Sequence, residues 1–328
     1  MMRALSTAPM MDWSDRHCRY FFRQLTRHAP VYTEMVVTGA LLHGDAARHL
    51  AFHALEHPVA LQLGGSDPQE LARCARLGER WGYDEINLNC GCPSGRVQRG
   101  AFGACLMGEP QRVADCVKAM QDAVGVPVTV KHRLGIDAVE AYDFVRRFVE
   151  TLARAGCRIF IVHARNAILR GLSPKENREI PPLKYDYVYR LKREFSELTI
   201  VLNGGVRSWG EIQAHLQHVD GVMLGRAAYH DPYLLAQVDR RLYGDLHPPR
   251  TREEVVRTMH AYCVEEVGRG TPLRAIVRHM LGLYHGVPHA RAWRRRLSDS
   301  RRLAANDPGL LLEAIGPGLP LAEGTAFA

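Results

Sequence analysis

No stretch of the sequence approaches the roughly 18 uninterrupted apolar residues that a membrane-crossing helix needs. Its opening residues, Met1 to Met11, hold one arginine and no apolar run long enough for a secretory leader, so a cytoplasmic location with no membrane partner is expected. The eight cysteines (18, 74, 90, 92, 105, 116, 157 and 263) are scattered, which excludes a disulfide framework. Only Cys90 and Cys92 lie close together, and without a second clustered pair no zinc or iron–sulfur site is expected. No GxGxxG follows a strand-like run, which argues against a separate dinucleotide-binding fold. Low-complexity tracts are absent too. A hydrophobic content of 46% with 24% charged residues describes an ordinary globular protein with a sizeable core.

What is present is a repeated alternation. Eight short runs rich in Val, Ile and Leu occur at Leu5–Pro9, Val31–Met35, Val59–Leu63, Glu85–Asn89, Val126–Lys131, Ile159–His163, Thr199–Asn203 and Gly221–Leu224. Amphipathic segments separate them, among them Pro68–Trp81, Arg112–Val124, Ala138–Ala155, Tyr187–Phe195 and Trp209–His218. Buried parallel strands read in this way, so the chain is expected to be α/β, with a (β/α)8 TIM barrel over residues 1–242. Gln62, Asn87, Asn89, Lys131, Arg133, His163, Arg165, Asn203 and Arg226 fall within or just after these strands, near the end where barrel active sites assemble.

Beyond residue 242 the strand pattern stops and Pro248-Pro249 punctuates the chain. Helical patterns over Thr251–Arg269, Pro272–Tyr284, His289–Leu303 and Gly309–Ile315 predict a small all-helical C-terminal domain over 243–316, with a loose tail over 317–328. Of the formal charge of +8, +6 lies in residues 244–304, which hold twelve Arg against six Asp or Glu. Arg291 to Arg302 alone contains six Arg and one Asp, a candidate phosphate-binding surface.

Loops after the seventh and eighth strands of a barrel commonly bind phosphate, because glycine lets backbone N–H groups approach an oxyanion and Arg adds a bidentate charge. Asn203-Gly204-Gly205 and Gly225-Arg226 occupy those two places and point to a phosphate-bearing cofactor. Lys131, followed by His132 and Arg133, and then His163 would line the same cavity, where cations beside an isoalloxazine ring stabilise the reduced anion of flavin mononucleotide. Gln62 offers donors and acceptors to a ring edge, and Pro9, Met10 and Met11 can pack under it. After the fourth strand, Cys92-Pro93 opens a loop with Gly95, Gly100 and Gly103, suited to a thiol held at the barrel mouth.

At these residues the sequence resembles the tRNA-dihydrouridine synthases. The resemblance rests on APMMDWSDRHCRYF, YTEMVVTGAL, LQLGG, the segment EINLNCGCPSGRVQRGAFGACLM, VTVKHRLGID, FIVHARNAILRGLSPKENREIPPL, NGG and GVMLGRAAYHDPYLL. It runs from Ala8 to about residue 300, and PKENREIPPL with APMMDW points to the bacterial A-type subfamily, which acts on U20 and U20a of the D loop. It implies FMN held by Pro9, Met10, Met11, Gln62, Lys131, His163, Asn203, Gly204, Gly205, Gly225 and Arg226, and Cys92 as catalytic acid. It further implies tRNA contacts from Asn89, Lys175, Arg178, Arg291 and Arg294 and NADPH as a transient reductant; separately, no obligatory protein partner is evident, and a monomer is expected. Hydride would go to uracil C6 and a proton from Cys92 to C5; that role wants a protonated thiol away from strong cations. The target base must be extruded from the tRNA elbow. Two departures stand out: Cys90 where an aliphatic residue is expected, giving a second thiol near the site, and Gly95 where the subfamily often has Asp.

Two other readings share some of these features. An FMN barrel that reduces a small-molecule alkene needs no basic helical domain, and an RNA-binding chaperone on a vestigial barrel needs neither Cys92 nor Lys131 and His163.

Overall fold

The structure, a computed structural model, describes residues 3–139 and 141–315; the expected tail over 317–328 lies outside them. Among the described residues eight strands occur, β1 (Leu5–Thr7), β2 (Val31–Val37), β3 (Val59–Gly64), β4 (Glu85–Cys90), β5 (Val128–His132), β6 (Ile159–His163), β7 (Thr199–Asn203) and β8 (Gly221–Leu224). All their ladders are parallel, and the order runs β1-β8-β7-β6-β5-β4-β3-β2. At the remaining seam the Thr7 N–H donates to the Pro30 carbonyl at 3.0 Å. The sheet is therefore a nearly closed (β/α)8 barrel, as the alternating runs predict. β5 starts two residues later than its apolar run because Pro127 has no N–H for the ladder.

The helix Pro68–Trp81 is bounded by caps visible in the sequence. Asp67 accepts from the Glu70 N–H at 2.8 Å, Pro68 occupies the first turn, and Gly82 ends the helix Pro68–Trp81 in the left-handed region at φ 94°. Inside the barrel, Ala8, Tyr32, Ala60, Ile161, Val201 and Met223 form a buried apolar layer with Met10 packed against it.

The chain divides into two compact units. One comprises the residues up to Arg16 and His28–Gly225; the other comprises His17–Arg27 and the chain from Arg226 onward. The segment after β1 thus joins the helical unit. Its helix Arg16–Arg23 stacks Tyr20 on Tyr262 (ring centroids 3.9 Å apart, 12° between planes), and His17 Nδ1 lies 2.8 Å from the Tyr262 hydroxyl. Tyr262 belongs to the helix Arg252–Gly268, which a Thr251–Glu254 capping box begins. The predicted helix His289–Leu303 is two helices, Ala290–Leu297 and Ser300–Ala304, because Asp299 turns its carboxylate onto the N–H groups of Arg301 and Arg302 and caps a new start.

Candidate active site

Strand pleating decides which side chains reach the barrel mouth, since alternate residues face opposite sides. On β4, Ile86 reaches the helix layer, where a methyl placed on Gly78 would meet its Cδ1, while Glu85, Asn87 and Asn89 face the interior and hydrogen-bond one another's neighbours on β3 and β5. Asn89 stands opposite Lys131, and His163 opposite Asn203, in the ladder register. His132, expected in the cavity, faces outward instead. It is fully buried between Phe148 and Phe160, with its Nδ1–H given to the Arg133 carbonyl at 2.6 Å, and burial pushes its pKa down to about 4.

The loop carrying Cys92 is held at several points. The Asn89 Oδ1 accepts the N–H groups of Gly91 and Cys92 at 3.1 and 3.0 Å. The Cys92 carbonyl accepts from the Ala104 N–H at 2.9 Å, and the half-buried thiol lies 3.6 Å from the Ser94 hydroxyl. Ser94 caps the short helix Gly95–Arg99, and the Gln98 amide donates to the carbonyls of Pro93 and Leu169 at 2.8 and 2.7 Å. Gly103 closes the loop at φ 78°, where a methyl group would come within 2.6 Å of the Cys92 carbonyl oxygen. Cys90 does not supply a second working thiol: it is fully buried, and burial raises its pKa well above the ordinary thiol range.

Around Cys92 the charge is of one sign. Burial and then Arg133 lower Lys131 to about 7. His163 is held well below its usual value by burial and by Arg133, Lys131, Arg165 and Arg178, so it is a neutral imidazole and not the second cation expected. Burial brings Arg133 down to about 10, and its guanidinium bonds to three carbonyls, those of Gly91, Asn166 and Asn177, at 3.2, 3.1 and 2.9 Å. Cys92 is an electrostatic neighbour of both Lys131 and Arg133. Adjacent strands β4 and β5 bring these groups to one mouth, yet the thiol's own partner is the neutral Ser94 hydroxyl, and Lys131 is held near 7.

The remaining expected cofactor residues lie at the ends of other strands. Gln62 is buried on β3. Pro9 and Met10 are half-buried and Met11 is exposed in the turn after β1, where the Met10 N–H donates to the Ser14 hydroxyl at 2.8 Å. Asn203 donates to the Met223 carbonyl at 2.7 Å, and the Gly204 carbonyl accepts from the Tyr185 hydroxyl at 2.9 Å. Gly204 has φ 111°, and a methyl group there would come within 2.6 Å of the His163 ring, so the turn after β7 and the His163 imidazole require each other. Gly225 follows β8, and Arg226 opens the helix Arg226–His230.

Asn89 lies with this constellation, its side chain bonded to Gln62 and to the Cys92 loop. Lys175 and Arg178 are exposed on the turn after β6, which Arg133 braces through Asn177. In the helical unit, Arg291, Arg294, Arg295, Arg296 and Arg302 are all exposed, but Arg296 donates to the carbonyls of Glu313 and Ala314, and Arg302 pairs with Glu313 at 3.1 Å. The basic run is thus smaller as a free surface than its composition suggests. Trp293 is fully buried, with its indole N–H on the Met280 carbonyl at 2.9 Å, so it is core and not a stacking platform. Sequence reasoning missed Glu85 and Thr129; the signal was a glutamate opening an otherwise buried parallel strand.

A family model described as dihydrouridine synthase matches residues 6–315 of the chain. The tRNA-dihydrouridine(20/20a) synthase of Shigella flexneri is 58% identical over 311 residues, covering 94% of this chain and 91% of that protein. The proteins of that name from Synechocystis sp. (strain ATCC 27184 / PCC 6803 / Kazusa) and Escherichia coli (strain K12) are each 58% identical as well, over 95% and 94% of this chain and 93% and 90% of their own. Among solved structures, a 2-naphthoyl-CoA reductase in complex with 2-naphthoyl-CoA shares the fold at a TM-score of 0.55 and 11% identity. That alignment covers 73% of this chain, which spans half the length of the reductase.

Proposed function

Because the chain belongs to the dihydrouridine synthase family and is an oxidoreductase of it, we propose that it reduces the C5=C6 bond of uridine in the D loop of tRNA, at positions 20 and 20a. The observation that carries this reading is a half-buried thiol, Cys92, on a braced loop whose Gly91 carbonyl accepts from Arg133 and whose Asn89 stands opposite Lys131, at the mouth of a parallel barrel. Lys131, Arg133 and His163 are each held below their ordinary values by burial and by neighbouring cations, which favours binding of an anionic ligand among them.

The residues fit FMN. Lys131, His163, Asn203 and Gln62 would hold the ring, Gly204, Gly205, Gly225 and Arg226 the phosphate, and Pro9, Met10 and Met11 would pack beneath. A neutral His163 donates or accepts one hydrogen bond without adding charge, and Lys131 regains its proton when an anion arrives. FMN held by these residues would supply hydride chemistry at uracil C6, with NADPH as the source of its electrons. Cys92 Sγ gives its proton to C5, and Asn89 keeps the loop's N–H groups in place while it does so. The uridine has to leave the stack to reach this mouth, and phosphate contacts offset the unstacking cost of a few kcal/mol. Lys175, Arg178, Arg291 and Arg294 are the exposed cations that we assign to the tRNA backbone.

No helix among the described residues is long and apolar enough to cross a membrane; we infer a cytoplasmic enzyme acting as a monomer, with the barrel over 1–242 as catalytic part and the helices of 243–316 as RNA-binding part. The test is dihydrouridine formation on undermodified tRNA with NADPH, read by mass spectrometry, for the native protein and Cys92→Ala. We expect product at the D-loop uridines from the native chain and a loss of at least about a hundred-fold in the variant, the usual weight of a general acid. A yellow, FMN-loaded protein that reduces small alkenes but no tRNA would overturn the substrate, and equal product from both would remove Cys92 from the mechanism.

A further inference from the structure

A continuous line of buried hydrogen bonds crosses the barrel interior from its floor to Cys92. At the top, the Cys92 N–H donates to Asn89 Oδ1 at 3.0 Å. Asn89 Nδ2 donates to Gln62 Oε1 at 2.8 Å, Gln62 Nε2 to Asn87 Oδ1 at 2.7 Å, and Asn87 Nδ2 to Thr129 Oγ1 at 2.7 Å. The Thr129 hydroxyl then donates to the Glu85 carboxylate, which pairs with Arg3 and also accepts from the Tyr32 hydroxyl at 2.7 Å. The ladder register produces this line: Gln62, Asn87 and Thr129 are directly opposite one another on β3, β4 and β5, and Glu85, Asn87 and Asn89 are alternate residues of β4.

The two ends demand the same polarity. A carboxylate paired with Arg3 can only accept, and a backbone N–H can only donate. With Glu85 at one end, Thr129 must give its proton downward and take one from Asn87, which leaves the Asn87 oxygen for Gln62 and the Gln62 oxygen for Asn89. That leaves the Asn89 oxygen facing Gly91 and Cys92, where two N–H groups need an acceptor. A primary amide alone turns over at little cost, because its oxygen and nitrogen are similar in size. In this line each amide is held one way by its neighbours.

We propose that Glu85, Thr129 and Asn87 are positioning residues for the reaction at Cys92: their relay sets which way the amides of Gln62 and Asn89 face and so holds the Cys92 loop in its working orientation. The proposal rests on the function proposed above only for the roles of Cys92 and Gln62. None of the three positioning residues touches the reacting atoms. Breaking the relay at Thr129 frees Asn87 to turn, then Gln62, then Asn89, and the N–H groups of Gly91 and Cys92 lose a fixed acceptor.

Thr129→Val removes the hydroxyl with almost no change in shape, Thr129→Ser restores it, and Tyr32→Phe removes a different hydroxyl from the same Glu85 oxygen without touching the relay. Two readouts use the full chain without tRNA or NADPH: amide hydrogen exchange at Gly91 and Cys92, and the rate of Cys92 alkylation by iodoacetamide, mapped by peptide mass spectrometry. In Thr129→Val both should rise by about five-fold or more, the order of one lost hydrogen bond. The turnover number for tRNA should fall while the KM for tRNA stays, and Thr129→Ser should recover each value. Tyr32→Phe should lower the melting temperature yet leave exchange and alkylation at the native rates. Should Thr129→Val fail to fold, Asn87→Leu cuts the relay one link higher and carries the same expectation. Equal effects from Thr129→Val and Tyr32→Phe, or no effect of either at Cys92, would overturn the relay as a positioning device. A native protein that makes no dihydrouridine would sink the proposed substrate while leaving both relay readouts measurable.

Discussion

Lys131 shows at a single residue how function opposes stability. Its ammonium lies in the mouth with Arg133 nearby, and burial first, then that arginine, bring its pKa from 10.5 to about 7. Between those two values the unfolded chain holds a proton that the folded chain has lost, so stability rises with pH across this window and falls as pH drops through 7. Replacing the side chain by an apolar one of similar length removes that burden. We expect Lys131→Met, free of FMN, to be more stable than the native chain by about 1 kcal/mol at pH 7, seen as a melting temperature a few degrees higher. The advantage should shrink toward pH 10, and FMN titration followed by absorbance should show weaker binding. A variant less stable at pH 7 would mean that the ammonium has an anionic partner in the free protein.

Elements place such residues, and the loop from Gly91 to Gly108 is where placement is tightest. Gly103 lies in the left-handed region, and a methyl there would strike both Val97 and the Cys92 carbonyl. Gly103→Ala should therefore displace Cys92 and lower tRNA turnover by at least about ten-fold, since small misplacements of reacting groups are costly, while FMN content measured by absorbance stays at the native level. Loss of FMN as well would show that the loop and the cofactor site move together. This loop also marks how far the sequence could be read. Eight apolar runs announced the eight strands because parallel strands buried on both faces keep an unbroken hydrophobic signature. Cys92, Gln62, Lys131 and Asn203 were visible as polar residues where such strands end. Glu85 and Thr129 were not, because their purpose depends on lateral register between strands, which no linear pattern encodes. His132 misled for a related reason: it neighbours Lys131 in sequence but points the other way across the pleat. The break at Asp299 was equally hidden, since an aspartate within a helical pattern becomes a cap only when its carboxylate turns back on the following N–H groups.

For the whole molecule, the division of the chain changes which experiment can separate catalysis from RNA recognition. Deleting residues 245–328 would strip the helix Arg16–Arg23 of Tyr262, the ring on which Tyr20 stacks and beside which His17 lies. It would also remove Arg250, whose guanidinium donates to Gln24 at 2.7 Å. A truncated chain would thus expose a formerly buried helix face directly after β1, and lost activity would report damage rather than lost tRNA contacts. Point substitutions of surface charge avoid this. Arg291 and Arg294 project from the same side of the helix Ala290–Leu297, away from buried Trp293 and Leu297, so changing them leaves the core of that unit intact. Arg296 must be left alone, because it closes the carbonyls of Glu313 and Ala314. If the exposed pair contacts tRNA phosphates, Arg291→Ala with Arg294→Ala should raise the KM for tRNA and reduce the slope of log binding constant against log salt by about one per charge removed. The melting temperature and FMN content should remain native. An unchanged salt slope would mean that these arginines are solvated charges, and the tRNA contacts would then have to be sought on the barrel unit, beginning with Lys175 and Arg178.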